Sequence, residues 1–97
     1  MSSLIKTAQA GTLESGDIMI TIAPATTEGG VLLDLDSIVL AQYGTAIRKT
    51  ILDIISELGV TDIYIKAVDR GALDCTIKAR TLTALGRAGV VCEGELL

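Results

Sequence analysis

The chain contains no histidine, phenylalanine or tryptophan, and only one proline, two cysteines and two tyrosines among 97 residues. Without histidine there is no Ser-His-Asp or Cys-His relay and no imidazole-based metal site within the chain. A protein of this make-up is expected not to act as an enzyme on its own. Basic residues are also few: eight Lys and Arg stand against twelve Asp and Glu, a formal net charge of −4. Phosphate neutralisation needs clustered cations, and Arg48-Lys49 is the only adjacent basic pair, so nucleic acid is not an expected partner. No uninterrupted apolar run approaches the roughly 20 residues of a membrane span. Residues 1–10 carry Leu4-Ile5 but no long apolar block, so no secretion signal is expected there. Two cysteines without an export signal read as free thiols, and the expected location is cytoplasmic.

What is present is aliphatic. Hydrophobic residues make up 49% of the chain, so a core of Ile, Leu, Val and Ala is expected in a single domain over residues 1–97. Residues 1–10 and 90–97 are expected to be flexible. Ile18, Ile20 and Ile22 alternate with Met19, Thr21 and Ala23 and predict a strand that Pro24 stops. After a loop ending at Gly29-Gly30, Val31, Leu33 and Leu35 alternate with Asp34 and Asp36 and predict a second strand, paired with the first as an antiparallel hairpin. Tyr43, Ile47, Ile51, Ile54, Ile55 and Leu58 form one helical stripe, and Gly59 ends it. The start of that helix is open between a Thr45 cap and an earlier turn at Asp36 or Ser37. Ile63, Ile65 and Ala67 predict a third strand, and Asp69-Arg70-Gly71 a tight turn with Gly71 at positive φ. Leu73, Cys75 and Ile77 alternate as well. A fourth strand over residues 73–78 is preferred to a helix beginning near residue 72, and it puts Cys75 in the core as an inert thiol. A short helix over residues 80–88 closes the chain, with Cys92 exposed in the tail. The expected architecture is α+β: a small two-layer domain in ββαββα order, its antiparallel sheet covered by helices on one face.

Few residues are placed for chemistry. Asp34 and Asp36 lie two apart on a strand and read as its solvated side rather than a cation site. In residues 11–17, Ser15 and Gly16 sit between Glu14 and Asp17, which suggests an exposed turn. Nothing nearby can deprotonate Ser15, so it is not a self-activated nucleophile. It can still be modified by an enzyme that brings its own base, although chemistry alone favours a plain solvated turn serine.

Three segments bear on that choice. Ala10-Gly11-Thr12-Leu13-Glu14-Ser15-Gly16-Asp17-Ile18-Met19-Ile20, then Tyr43-Gly44-Thr45-Ala46-Ile47-Arg48-Lys49-Thr50-Ile51-Leu52-Asp53, then Asp69-Arg70-Gly71-Ala72-Leu73-Asp74-Cys75 with Lys78-Ala79-Arg80, resemble in order the acyl carrier (γ) subunit family of citrate lyase. The resemblance covers about residues 9–88. It implies that Ser15 carries 2′-(5″-phosphoribosyl)-3′-dephospho-coenzyme A through a phosphodiester, with Glu14, Gly16 and Asp17 flanking it for recognition. It implies acetyl and citryl thioesters as cargo, within a hetero-oligomer that cleaves citrate to acetate and oxaloacetate during citrate fermentation. The implied partners are the α (transferase) and β (lyase) subunits and a prosthetic-group transferase. The acyl carrier subunit of malonate decarboxylase resembles this family in its Ser-Gly-Asp setting. A small regulatory or interaction domain with Ser15 unmodified is the alternative from a different class.

Overall fold

The strand with the cleanest apolar alternation takes the centre of the sheet. In the computed structural model, which describes residues 6–25, 29–38 and 40–90, the elements are β1 (Ala8–Ala10), β2 (Ile18–Pro24), β3 (Val31–Ser37), α1 (Leu40–Glu57), β4 (Ile63–Asp69) and α2 (Asp74–Arg87). The sheet order is β1-β2-β4-β3. Strand β4 alternates buried Ile63, Ile65, Ala67 and Asp69 with more exposed residues. It pairs antiparallel with β2, placing Ile18 opposite Asp69 and Ile22 opposite Ile65. On its other edge it pairs parallel with β3, placing Leu35 opposite Ala67. The result is a small compact α+β domain with a mixed sheet in βββαβα order.

That order corrects the expected hairpin of the first two predicted strands. These are β2 and β3, and β4 lies between them. The cause is the crossover through α1, which returns the chain parallel to β3 and places β4 where both of its edges are paired. Strand β1 was not anticipated; three residues of Ala-Gln-Ala carry almost no alternation to read. It pairs antiparallel with β2, Ala10 opposite Ile20. Residues 1–5, 26–28 and 91–97 fall outside the described residues, and with them the reading of Cys92 and much of the expected flexible ends.

Both helices cover one face of the sheet. Helix α1 buries Ile47, Ile51, Ile54 and Ile55, the stripe expected from its spacing, whereas Tyr43 at the head of that stripe is exposed. The helix starts at Leu40, before Thr45 and after Ser37, which closes β3. It ends as expected at Gly59, whose φ of +73° allows the Gly59 N–H to reach the Ser56 carbonyl and the Val60 N–H to reach the Ile55 carbonyl. This is a Schellman closure. Helix α2 ends identically, with Gly89 N–H on Gly86 and Val90 N–H on Leu85.

The predicted fourth strand is the first turn and a half of α2. Its buried residues are Ile77, Thr81, Ala84 and Leu85, spaced by four, three and one, which is helical. Leu73 and Cys75, the other members of the apparent alternation, are exposed, so Cys75 is a surface thiol and not a core one. The chain is redirected at Asp69, which is buried and accepts hydrogen bonds from the Ser37 hydroxyl (2.8 Å), the Gly71 N–H (3.2 Å) and the Ala72 N–H (3.0 Å). Gly71 has the expected positive φ, but it leads from strand to helix. Ten buried isoleucines, three on β2, four on α1, two on β4 and one on α2, make the core nearly all aliphatic.

Candidate functional site

Residues 11–17 connect β1 to β2, so Ser15 lies on a hairpin loop rather than ahead of the first strand. The neck of the loop is closed by Gly11, at φ +97°. A Cβ there would sit 1.8 Å from the Ile18 carbonyl oxygen, which only glycine avoids. At the tip, the Asp17 N–H donates to the Glu14 carbonyl at 3.1 Å, making a four-residue turn with Ser15 and Gly16 in the middle. Gly16 has φ +84°, the conformation required at the third position of a type II turn. Ser15 and Glu14 are exposed.

The base of the turn is tied in two ways. The Gly16 N–H donates to the Arg70 carbonyl at 2.7 Å and the Arg70 N–H donates to the Asp17 carbonyl at 2.9 Å. These bonds extend the β2–β4 pairing past Ile18 and Asp69 as a glycine bulge, with Gly16 and Asp17 together opposing Arg70. The Asp17 carboxylate turns inward, its side chain 14% exposed. Arg80 grips it with both arms, Nε to Oδ1 and Nη2 to Oδ2, each at 3.0 Å. The Thr12 hydroxyl donates to Oδ2 at 2.8 Å, and the Ile18 N–H to Oδ1 at 2.7 Å. Thr12 in turn accepts the Glu14 N–H at 3.2 Å. The Arg80 hydrogen bonds, then Thr12, then Ile18, hold the Asp17 pKa down to about 2. Asp17 is therefore a fixed anion at neutral pH and a poor proton acceptor.

Of the sequence-identified residues, the loop brings Glu14, Ser15, Gly16 and Asp17 together in one turn. It presents Ser15 and Glu14 outward and commits the Asp17 carboxylate to Arg80. Thr12, Arg70 and Arg80 carry the turn and were not singled out from the sequence. Arg80 lies 63 positions from Asp17, beyond the reach of any local pattern. Asp34 and Asp36 point away on the open face of the sheet, where Asp34 accepts a hydrogen bond from the Tyr64 hydroxyl at 3.4 Å. Among the described residues no cluster of His, Cys, Asp or Glu is placed to hold a metal ion, and no helix is long and apolar enough to cross a membrane. The Ser15 hydroxyl makes no hydrogen bond to any described residue, and a Cβ built on Gly16 would meet nothing within 4 Å. The Ser15 side chain is thus exposed beside a residue with open space on its own side-chain face.

The site is thus an exposed serine at the tip of a turn on a small α+β domain, with the Asp17 carboxylate committed to Arg80 beneath it. Residues 5–88 match the family model described as "ACP: Malonate decarboxylase delta subunit (MdcD)". The citrate lyase acyl carrier protein of Streptococcus uberis is 52% identical over 85 residues, spanning 88% of this chain and 82% of that protein. That of Halothermothrix orenii is 52% identical over 88 residues, spanning 91% and 92%. The chain belongs to the citrate lyase acyl carrier protein family. Its fold is also that of a chain in a Pseudomonas malonate decarboxylase hetero-tetramer complexed with malonate, at TM-score 0.61 and 18% identity over 89% of this chain and 87% of that one.

Proposed function

We propose that this chain is the acyl carrier subunit of a citrate lyase complex, with 2′-(5″-phosphoribosyl)-3′-dephospho-coenzyme A attached covalently at Ser15. The observation that carries the reading is the turn itself: an exposed serine at the tip of a loop whose backbone is bonded to Arg70 beneath it. When bound, the group supplies a terminal thiol that holds the acyl cargo. The Ser15 oxygen becomes one ester oxygen of a phosphodiester, displacing the leaving group of a phosphoanhydride-activated donor, and its proton passes to the transferase. Ser15 supplies the accessible hydroxyl. Citrate cleavage to acetate and oxaloacetate is catalysed in partner α and β subunits in the cytoplasm, and this chain takes no catalytic part. A tether anchored here holds its cargo at an effective concentration on the order of millimolar near each partner's active site.

Intact mass of the chain purified from a citrate-fermenting host tests the reading. An added mass corresponding to the group, absent from Ser15→Ala, is expected. An unmodified wild-type chain from such cells overturns it. The description of the matching family supports a second reading, the carrier of a malonate decarboxylase. Acetyl–malonyl exchange on the modified chain, in place of acetyl–citryl exchange, would establish that one instead.

A further inference from the structure

The β1–β2 loop spans seven residues and protrudes from the sheet, a setting in which a turn is ordinarily loose. The main-chain pair with Arg70 fixes Gly16 and Asp17, on the β2 side of the tip. It does not touch Thr12, Leu13 or Glu14, which lead into the tip from the β1 side. Beyond the Asp17 N–H on the Glu14 carbonyl, that limb is held through a relay: Arg80 holds the Asp17 carboxylate, the carboxylate accepts the Thr12 hydroxyl, and the Thr12 oxygen accepts the Glu14 N–H. Each link is a charge-assisted or side-chain bond of 2.8–3.2 Å. Arg80 is the cation in it, and its planar fork matches both carboxylate oxygens, as a lysine ammonium does not.

Arg80 is not needed to seat α2. The helix packs through buried Ile77, Ala84 and Leu85, and its end is stitched to the segment leading into β1 by the Lys6 N–H on the Ala88 carbonyl and to β1 by Arg87 on the Gln9 carbonyl. Arg80 itself is 40% exposed, beside the core rather than within it.

We infer that Arg80 is a positioning residue for Ser15, holding the serine turn in one conformation through Asp17 and Thr12 so that an attaching enzyme meets a preformed site. The inference rests on the reading of Ser15 as the attachment point. It makes the shape of the turn, set from α2, the feature the enzyme reads, and it gives Asp17 an internal role in place of an exposed charge. A turn that must be ordered at each encounter lowers the competent fraction and reduces attachment in proportion.

The test compares wild type, Arg80→Lys and Arg80→Gln, with Ser15→Ala as the blank. Attachment by the prosthetic-group transferase from its activated donor is followed by intact mass, and amide hydrogen exchange is measured on the same unmodified proteins. Arg80→Gln is expected to lower kcat/KM for attachment by roughly tenfold, with Arg80→Lys between it and wild type. Exchange is expected to accelerate at Glu14 and Asp17, while Gly16, held by the Arg70 carbonyl, and Ile51, Ile65 and Leu85 keep their protection. Attachment to Arg80→Gln at the wild-type rate overturns the inference. So does faster exchange spread through the whole domain, which makes Arg80 a general staple. A wild-type chain that accepts no group overturns the Ser15 reading itself, and the exchange pattern then decides alone whether Arg80 holds the turn.

Discussion

Gly11 and Gly16 offer a controlled pair of perturbations in one loop. Both have positive φ, +97° and +84°, so alanine at either incurs the left-handed backbone cost of about 1–2 kcal/mol. Only at Gly11 does the added Cβ also meet backbone, 1.8 Å from the Ile18 carbonyl oxygen and 2.9 Å from its carbon. Carbonyl oxygens in a paired strand cannot swing aside like a flexible side chain, so β1 and β2 must separate at the neck. Overpacking of this kind costs about 1–3 kcal/mol. Gly16→Ala is thus expected to destabilise by about 1–2 kcal/mol and Gly11→Ala by about 2–5 kcal/mol. For a domain of this size each kcal/mol lowers Tm by about 4–8 °C. Thermal and urea unfolding followed by circular dichroism reads both variants against wild type. Equal losses in the two would refute the reasoning, because the difference between them is the clash alone.

Two further outcomes are expected. The Asp17 pKa lies near 2 in the folded chain, against an ordinary value of 3.8, so its folded pKa is depressed. The stability it contributes is complete above about pH 4 and is lost as pH falls toward 2. Urea unfolding of wild type and Asp17→Asn between pH 6 and 2 should show their gap closing over that window, and a gap unchanged at pH 2 would contradict the pairing. Cys75, exposed on α2, should react with a maleimide in the native protein, in a Cys92→Ser background, as fast as it does in urea. Protection in the native state would restore the buried thiol expected from the sequence.

The local parts of the fold were legible because they depend on local periodicity. Ile18, Ile20 and Ile22, the α1 stripe from Ile47 to Ile55, and Ile63, Ile65 and Ala67 each announce their element by spacing. Residues 73–78 were misread because Leu73, Cys75 and Ile77 satisfy a period of two over one short window. Extending the window to Thr81, Ala84 and Leu85 turns the pattern helical. The sheet order was not legible at all, since alternation says which face a strand buries and nothing about its neighbours. The same division holds at the site. Ser-Gly between acidic residues marked an exposed turn, and the three-segment resemblance marked Ser15. The Arg80 partner of Asp17 and the Arg70 main-chain clasp arise only when distant segments meet.

The bonds that shape the Ser15 turn reach forward to Arg70 and Arg80, in the last third of the chain. During synthesis the hairpin leaves the ribosome well before α2 exists, so the nascent loop lacks both of its anchors. The finished turn is consequently a late product of folding, formed only when β4 has entered the sheet and α2 has docked. A chain cut short before residue 70 displays the same seven loop residues without their geometry. A modifying enzyme sensitive to that geometry would act on the complete domain and pass over fragments, and its action would double as a check on assembly.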